Sequence, residues 1–117
     1  MKKSAKTIEL EMINFLSSFM KEKVGRGPRD VKIKLVDNIM VFFIIDILST
    51  LEKNIAKTPE GIKLIKESRN LYLELTNHER LTAIEKIVGA KVVDHFEAQN
   101  IPKETACGVI VFDRDIV

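Results

Sequence analysis

The stretch VKIKLVDNIMVFFIIDIL, residues 31–48, decides the fold of this chain. Its first part alternates, with Val31, Ile33 and Leu35 on one face and lysines on the other, which is typical of a strand with one solvated face. Asp-Asn at 37–38 is a tight-turn dipeptide, and the apolar run that follows predicts a returning strand. The stretch therefore predicts a β-hairpin.

The second strand of this hairpin is apolar on both of its faces. Such a strand needs a layer of structure above it and another below it. We expect helices of the same chain to supply one layer and a second copy of the chain to supply the other, which makes the protein a homodimer.

Helices are predicted on both sides of the hairpin. Apolar residues from Ala5 to Val24 recur at the spacing of one helical face, and Gly25 is expected to end that helix. Ser-Thr-Leu-Glu at 49–52 has the capping-box pattern of a short helix that runs to about Ala56. Thr58 is the expected N-cap of a further helix, with Pro59 at its first position.

The end of the chain is predicted to return to the sheet. The segment TNHER, residues 76–80, is expected to break the helical region near Leu75, with His78 at the N-cap of a last helix that Gly89 closes. KVVDHFEA, residues 91–98, and CGVIVFD, residues 107–113, are predicted strands joined by a loop.

The resulting order is α-β-β-α-α-α-β-β. It predicts an α+β fold in one domain, residues 1–117, with an antiparallel or mixed four-stranded sheet and helices on one face.

Composition limits the cellular setting and the chemistry. The chain has one cysteine, which excludes an internal disulfide and a multi-thiolate zinc site, and this fits a reducing compartment. The longest apolar run is too short to span a bilayer, and glutamates follow the basic N-terminus where a signal peptide would be apolar. We expect a cytoplasmic protein without cofactor or metal. The small net charge of +2 and the scarcity of aromatic residues argue against nucleic acid as a partner.

The segment GRGP, residues 25–28, is the first candidate site. Gly25, Gly27 and Pro28 predict a shaped turn after a helix C-terminus, which is the wrong end of a helix for a phosphate loop. The alternative is a basic contact site for an acidic protein or ligand. Its residues would be Arg26, Arg29, Lys32 and Lys34.

Three isolated residues complete the candidates. Asp46 interrupts the apolar strand, so it is either a buried acid with a perturbed pKa or the end of the strand at the sheet edge. His95 has no second histidine at metal-ligand spacing. Cys107 has no identifiable base beside it and is expected to be a packed small hydrophobe. No catalytic residue is predicted, and we expect that the protein is not an enzyme.

As a whole, the chain resembles the MpsC family, which is named after a component of a sodium-translocating, membrane-potential-generating system. The resemblance covers Ile8 to Asp113. The second strand of the family usually carries a charged residue and a glycine, whereas this chain has IDILSTLEK with Asp46 near the acidic position. The matching segments are GRGP, VKIKLVDNIMVFFI at 31–44, LSTLEKNIAKTPEG at 48–61, and IVGAKVVDHFEAQNIPKETACGVIVF at 87–112.

The resemblance implies an accessory component rather than a pump. The family is similar in context to systems in which a membrane subunit resembling those of respiratory complex I works with a cytoplasmic zinc protein to take up inorganic carbon. It implies a non-enzymatic interaction protein in contact with that subunit or its partner, peripheral at the inner face of the membrane. The alternative function is a module that binds a small anion or nucleic acid through the basic edge after the first helix.

Overall fold

The computed structural model describes residues 3–117, which form three helices and one four-stranded sheet. The strand order is β1-β2-β4-β3, and every neighbouring pair is antiparallel. This confirms the predicted α+β class, with the sheet antiparallel rather than mixed. The elements are α1 (Ala5–Val24), β1 (Asp30–Val36), β2 (Ile39–Ile45), α2 (Thr50–Ile55), α3 (Pro59–Val88), β3 (Val92–Asn100) and β4 (Thr105–Phe112).

Local sequence signals set most of the helix ends. Gly25 ends α1 with a φ of 94°, and Gly89 ends α3 with a φ of 78°, a left-handed conformation that glycine adopts without steric cost. Ser49 and Glu52 form the predicted capping box of α2. The Thr58 side chain accepts a hydrogen bond at the start of α3. These caps confirm the predicted ends.

The predicted break at residues 76–80 is wrong, because α3 is one continuous helix of 30 residues. His78 accordingly lies exposed inside the helix and is not an N-cap. Side-chain contacts explain the continuity. Arg80 donates hydrogen bonds to Thr76, Asn77 and Glu97, and Glu97 lies on β3. Tertiary contacts thus hold a segment whose own helix propensity is low.

Strand ends also differ from the prediction. β2 ends at Ile45 rather than Leu48, because Asp46 takes a left-handed backbone conformation with a φ of 70°. The last two strands are longer than predicted: β3 extends to Asn100 and β4 begins at Thr105, so the connecting turn is only four residues long.

The hydrophobic core lies between one face of the sheet and the helices. α1 contributes a continuous buried stripe, and α3 contributes Ile65 and Ile84. From the sheet, Met40, Phe42 and Ile44 of β2 face this core, together with the alternate residues of β4. The predicted placement of helices on one face is therefore confirmed.

Within residues 3–117, no helix or strand covers the other face of the sheet, and we call it the open face. Because strand side chains alternate, the register of the sheet fixes its members. In chain order within each strand, these are Asp30, Lys32, Lys34 and Val36 on β1; Ile39, Val41, Phe43 and Ile45 on β2; Asp94, Phe96, Ala98 and Asn100 on β3; and Thr105, Cys107, Val109 and Val111 on β4.

Candidate functional site

The GRGP turn is held against the end of β2 by an ion pair. Arg26 donates two hydrogen bonds to the two carboxylate oxygens of Asp46, at 2.9 and 2.6 Å, and a third to the carbonyl oxygen of Leu48 at 2.8 Å. Such two-pronged Arg–carboxylate geometry is among the stronger hydrogen-bonding arrangements in proteins. The structure thus joins two residues that the sequence presented as separate candidates.

A second cation, Lys53, also contacts Asp46. Lys53 of α2 lies 3.1 Å from Asp46 and 3.5 Å from Glu104, which precedes β4. Hydrogen bonds from Arg26 lower the pKa of Asp46 to about 2, and the bond from Lys53 adds to this, against a smaller opposing effect of burial. Asp46 is therefore a half-buried, ionised carboxylate that links the GRGP turn, the end of β2, α2 and the turn between β3 and β4.

Arg26, a predicted contact residue, uses much of its hydrogen-bonding capacity within the fold. Its guanidinium group donates three hydrogen bonds to atoms of the same chain. Gly27 approaches the α1 backbone, where a methyl group would lie 3.6 Å from the Ser17 carbonyl oxygen, and Pro28 is half-buried. The turn therefore serves the fold, which agrees with the interpretation of GRGP as a shaped turn.

The remaining basic candidates lie at one edge of the open face. Arg29 precedes β1, and Lys32 and Lys34 project from β1 on the open side. All three are exposed, and within residues 3–117 none of their side chains makes a hydrogen bond or an ion pair. We call these three residues the basic edge. It is the part of the predicted contact site that stays available to a partner.

The centre of the open face is apolar. Phe43 is 40% exposed and Val41 is 38% exposed, although both lie on a central strand of the sheet. Phe96 on β3 is 61% exposed. Cys107 is also exposed on this face, so its prediction as a packed residue is wrong. The register of β4 places it between Phe43 and Ala98, on the side of the sheet away from the helices.

On the helix side, two buried arginines were missed from the sequence. Arg69 donates to both carboxylate oxygens of Glu52, at 2.8 and 2.7 Å, and also to the carbonyl oxygen of Ile47. Arg80 lies 2.9 Å from Glu97. One signal could have found them, because each arginine stands four residues from a core isoleucine on the same helical face.

These arginines line a small, mainly apolar cavity of about 60 Å³ between α1, α3 and the sheet. Tyr72 also lines it, and burial raises the pKa of Tyr72. Burial raises the pKa of Glu52 as well, but the hydrogen bonds from Arg69 and Ser49 outweigh it and leave that pKa lowered. Glu52 pairs with Arg69 and Glu97 pairs with Arg80, so each buried arginine is neutralised by a carboxylate of the same chain.

The remaining chemistry-bearing residues are dispersed. His95 faces the helix side of β3 near Arg80, and Cys107 is on the opposite face of the sheet. Within residues 3–117 there is no group of three or more side chains placed to hold a metal ion. No helix in that part of the chain is both long and apolar enough to cross a membrane.

Comparison with known proteins confirms the resemblance found in the sequence. The family model described as "Na⁺-translocating membrane potential-generating system (MpsC)" matches residues 4–114. The chain is similar to the uncharacterized protein YrhF of Bacillus subtilis, with 33% identity over 91% of this chain and 88% of the relative. It is also similar to the uncharacterized protein YbcI of the same bacterium, with 30% identity over 79% of this chain and 74% of the relative. No solved structure matches the chain. The protein belongs to the MpsC family.

Proposed function

We propose that this protein is a non-enzymatic accessory component of a cation-translocating or inorganic-carbon-uptake system, and that it binds other proteins through the open face of its sheet. The observation that carries this proposal is the open face itself. Phe43 and Val41 lie on a central strand, yet the chain leaves them exposed. Contiguous exposed apolar surface on a folded domain marks an interaction site more often than scattered single residues do.

The composition of the open face supports a protein partner. Protein interfaces combine an apolar centre with a polar rim, and charged residues are depleted at the centre. The open face has valine, isoleucine and phenylalanine on β2 and β4, whereas its charged residues lie on the two outer strands. A partner with an apolar patch and an acidic border would fit the basic edge beside that centre.

Family membership supports a role beside a membrane transport system. The family is described as part of a Na⁺-translocating, membrane-potential-generating system. We place the protein at the inner face of the membrane, in contact with a membrane subunit of that system or with its cytoplasmic partner. Its role would be to hold components together rather than to transport the ion.

The basic edge also supports a second candidate, the binding of a small anion or a nucleic acid. Three exposed cations along the edge strand β1 could neutralise phosphate groups. Affinity for such a ligand would fall steeply with salt because counterions are released on binding, whereas the affinity of a protein interface with an apolar centre would depend less on salt. A titration with inorganic phosphate and with a short oligonucleotide at two salt concentrations separates the two candidates.

The decisive experiment is affinity purification of the tagged chain from its native host after gentle solubilisation of the membrane. Three forms are compared: wild type, the Lys32→Glu, Lys34→Glu variant, and the matched Lys63→Glu, Lys66→Glu variant, whose exposed lysines lie on α3. We expect a membrane protein of the system with wild type and with the α3 control, and its loss with the β1 variant. Arg26 is left unchanged, because its removal would leave Asp46 without its main partner.

Two outcomes would contradict the proposal in different ways. Absence of a membrane or cytoplasmic partner in all three samples would reject the accessory role. Retention of the partner by all three forms would keep an accessory role but would reject the basic edge as part of the surface that binds it.

A further inference from the structure

We propose that, when no partner of the system is bound, a second copy of the chain covers the open face, and that the twofold axis runs along the strands between β2 and β4. This inference rests on the proposed function only in taking the open face as an interaction surface. The sheet order β1-β2-β4-β3 makes β2 and β4 the central pair, so such an axis passes through the middle of the apolar centre. The two sheets would then pack face to face, as in a β-sandwich.

The symmetry leaves two principal orientations. A twofold axis that exchanges two stacked sheets lies in the plane between them, either along the strands or across them. An axis along the strands stacks β2 on the partner's β4 and β1 on the partner's β3. An axis across the strands stacks each strand on its own copy.

Apolar complementarity favours the axis along the strands. The register places Phe43 level with Cys107, and Val41 level with Val109. Stacking β2 on the partner's β4 therefore sets Phe43 over the small side chain of the partner's Cys107. Large residues packed against small ones allow two sheet faces to interdigitate.

Charge complementarity favours the same axis. Lys34 is level with Phe96 across the sheet, and Asp94 is the next outward residue of β3. With the axis along the strands, Lys34 lies over the ring of the partner's Phe96 and beside the partner's Asp94, so its cation meets an aromatic face and a carboxylate. With the axis across the strands, Lys32 would lie on the partner's Lys34, and like charges would repel.

The area is sufficient for a weak to moderate dimer. Four strands about 4.8 Å apart and seven residues of about 3.3 Å each give a flat footprint of roughly 440 Å² per copy. Two such footprints come to roughly 880 Å² in total, and side-chain relief brings the accessible area close to roughly 1,000 Å², the lower bound for a specific interface. Interfaces near this lower bound are typically weak, and we expect a dissociation constant of order 1 to 100 μM.

The first test is sedimentation equilibrium of wild type, Phe43→Glu and the matched control Leu75→Glu, whose leucine is exposed on α3 away from the open face. We expect dimers of wild type and control, and at least roughly 100-fold weaker association of Phe43→Glu, because an unpaired charge in an interface core is strongly unfavourable. Phe43 is partly exposed in the single chain, so the variant should keep the circular dichroism of the wild type. A wild type that is monomeric at several hundred micromolar overturns the proposal.

The second test addresses the axis. Lys34→Glu and Asp94→Lys are each expected to weaken the dimer, whereas the double variant, or a mixture of the two single variants, is expected to recover most of the affinity. Equal affinity of all forms, or loss without recovery, would reject the axis along the strands. Lys63→Glu on α3 serves as the control for a change of net charge.

The reactivity of the single cysteine, Cys107, provides an independent test of the dimer interface. In the proposed dimer Cys107 lies beneath the partner's Phe43, so the rate of its reaction with a thiol reagent should fall as the protein concentration rises. Phe43→Glu should react rapidly at every concentration. A wild-type rate that does not depend on concentration contradicts burial of this residue by a second copy.

Failure of the dimer and failure of the proposed function give different results. If the purified chain is a monomer but Phe43→Glu loses the membrane partner in the affinity purification, the open face belongs to that partner, and only the dimer is rejected. If the chain is a dimer but captures no partner, the dimer stands and the accessory role is rejected.

Discussion

Asp46 shows how one residue can connect four parts of this fold. Its backbone takes a left-handed conformation, its amide donates to the carbonyl oxygen of Glu104, and its carboxylate binds Arg26 and Lys53. Hydrogen bonds from Arg26 hold the folded pKa at about 2, below the value of 3.8 of an unperturbed aspartate. Because the folded pKa is the lower one, the stabilisation is complete above about pH 4 and is lost as the pH falls towards about 2.

This linkage gives a prediction for Asp46→Asn. Asparagine tolerates the same backbone conformation, so the variant removes mainly the charge. The pKa shift sets an upper limit of about 2 kcal/mol, and because Arg26 is 39% exposed, screening reduces the expected loss of unfolding free energy at pH 7 to about 1 kcal/mol. Denaturant unfolding at pH 7, 4 and 2.5 should show the difference from wild type shrinking as the pH falls.

The matched control is Asp37→Asn. Asp37 is exposed and also has a positive φ, of 53°, but its side chain has no ion pair within residues 3–117. Its substitution should change the stability by less than about 0.5 kcal/mol. A pH-independent loss in Asp46→Asn would show that its effect is not electrostatic.

A second prediction at this scale concerns Gly108. A methyl group at this position would lie 2.2 Å from the ring of Phe42, its cross-strand neighbour in the core. We expect Gly108→Ala to lower the unfolding free energy by about 1–3 kcal/mol through overpacking. Gly27→Ala, whose added methyl group meets nothing closer than 3.6 Å, should stay within about 0.5 kcal/mol of wild type. Equal stabilities of the two variants would contradict this packing.

At the scale of elements, the long helix α3 depends on contacts with the sheet. The segment 76–80 contains weak helix formers, but Thr76 donates to the carbonyl oxygen of Tyr72, and Arg80 bonds to Glu97 on β3. Lys23 of α1 lies 3.2 Å from Glu79. The helix therefore continues where its own sequence favours a break, because its side chains are bound by neighbouring elements.

The Arg80–Glu97 pair can be tested with a double-mutant cycle. Both side chains are largely buried, at 8% and 14% exposure, so removal of one leaves an uncompensated charge. We expect Arg80→Met to cost about 3 kcal/mol and the Arg80→Met, Glu97→Met double variant to recover much of that loss. Lys86→Met, at an exposed position of α3, should have little effect. Additive losses in the cycle would show that the pair is not coupled.

At the scale of the whole molecule, the shape of the assembly reports which surface pairs. A single chain has a radius of gyration of 14.6 Å and a longest dimension of 49 Å. Stacked through their open faces, two copies would have centres about 20 Å apart and a radius of gyration of roughly 18 Å. End-to-end contact would give roughly 28 Å. Small-angle scattering of the dimer distinguishes these values, and the larger one would contradict pairing through the sheet.

The sequence predicted much of this fold because its signals are local. Gly25 and Gly89 end helices, Ser49 and Thr58 start them, and alternation places Val31 and Ile33 on the buried face of β1. Each of these depends on a residue and its near neighbours in the chain. The prediction of a basic contact site was equally local. It did not reveal that Arg26, one of its four cations, would pair with a carboxylate of the same chain.

What the sequence determined by itself is the class of fold, the hairpin, the helix caps and the family. Only the tertiary structure decided that Arg26 binds Asp46, that Arg80 keeps α3 continuous, and that Cys107 lies exposed on the open face. The physical reason is distance along the chain. Caps and strand periodicity act within a few residues, whereas these ion pairs and the pairing of Cys107 with Phe43 join residues 17 to 64 positions apart.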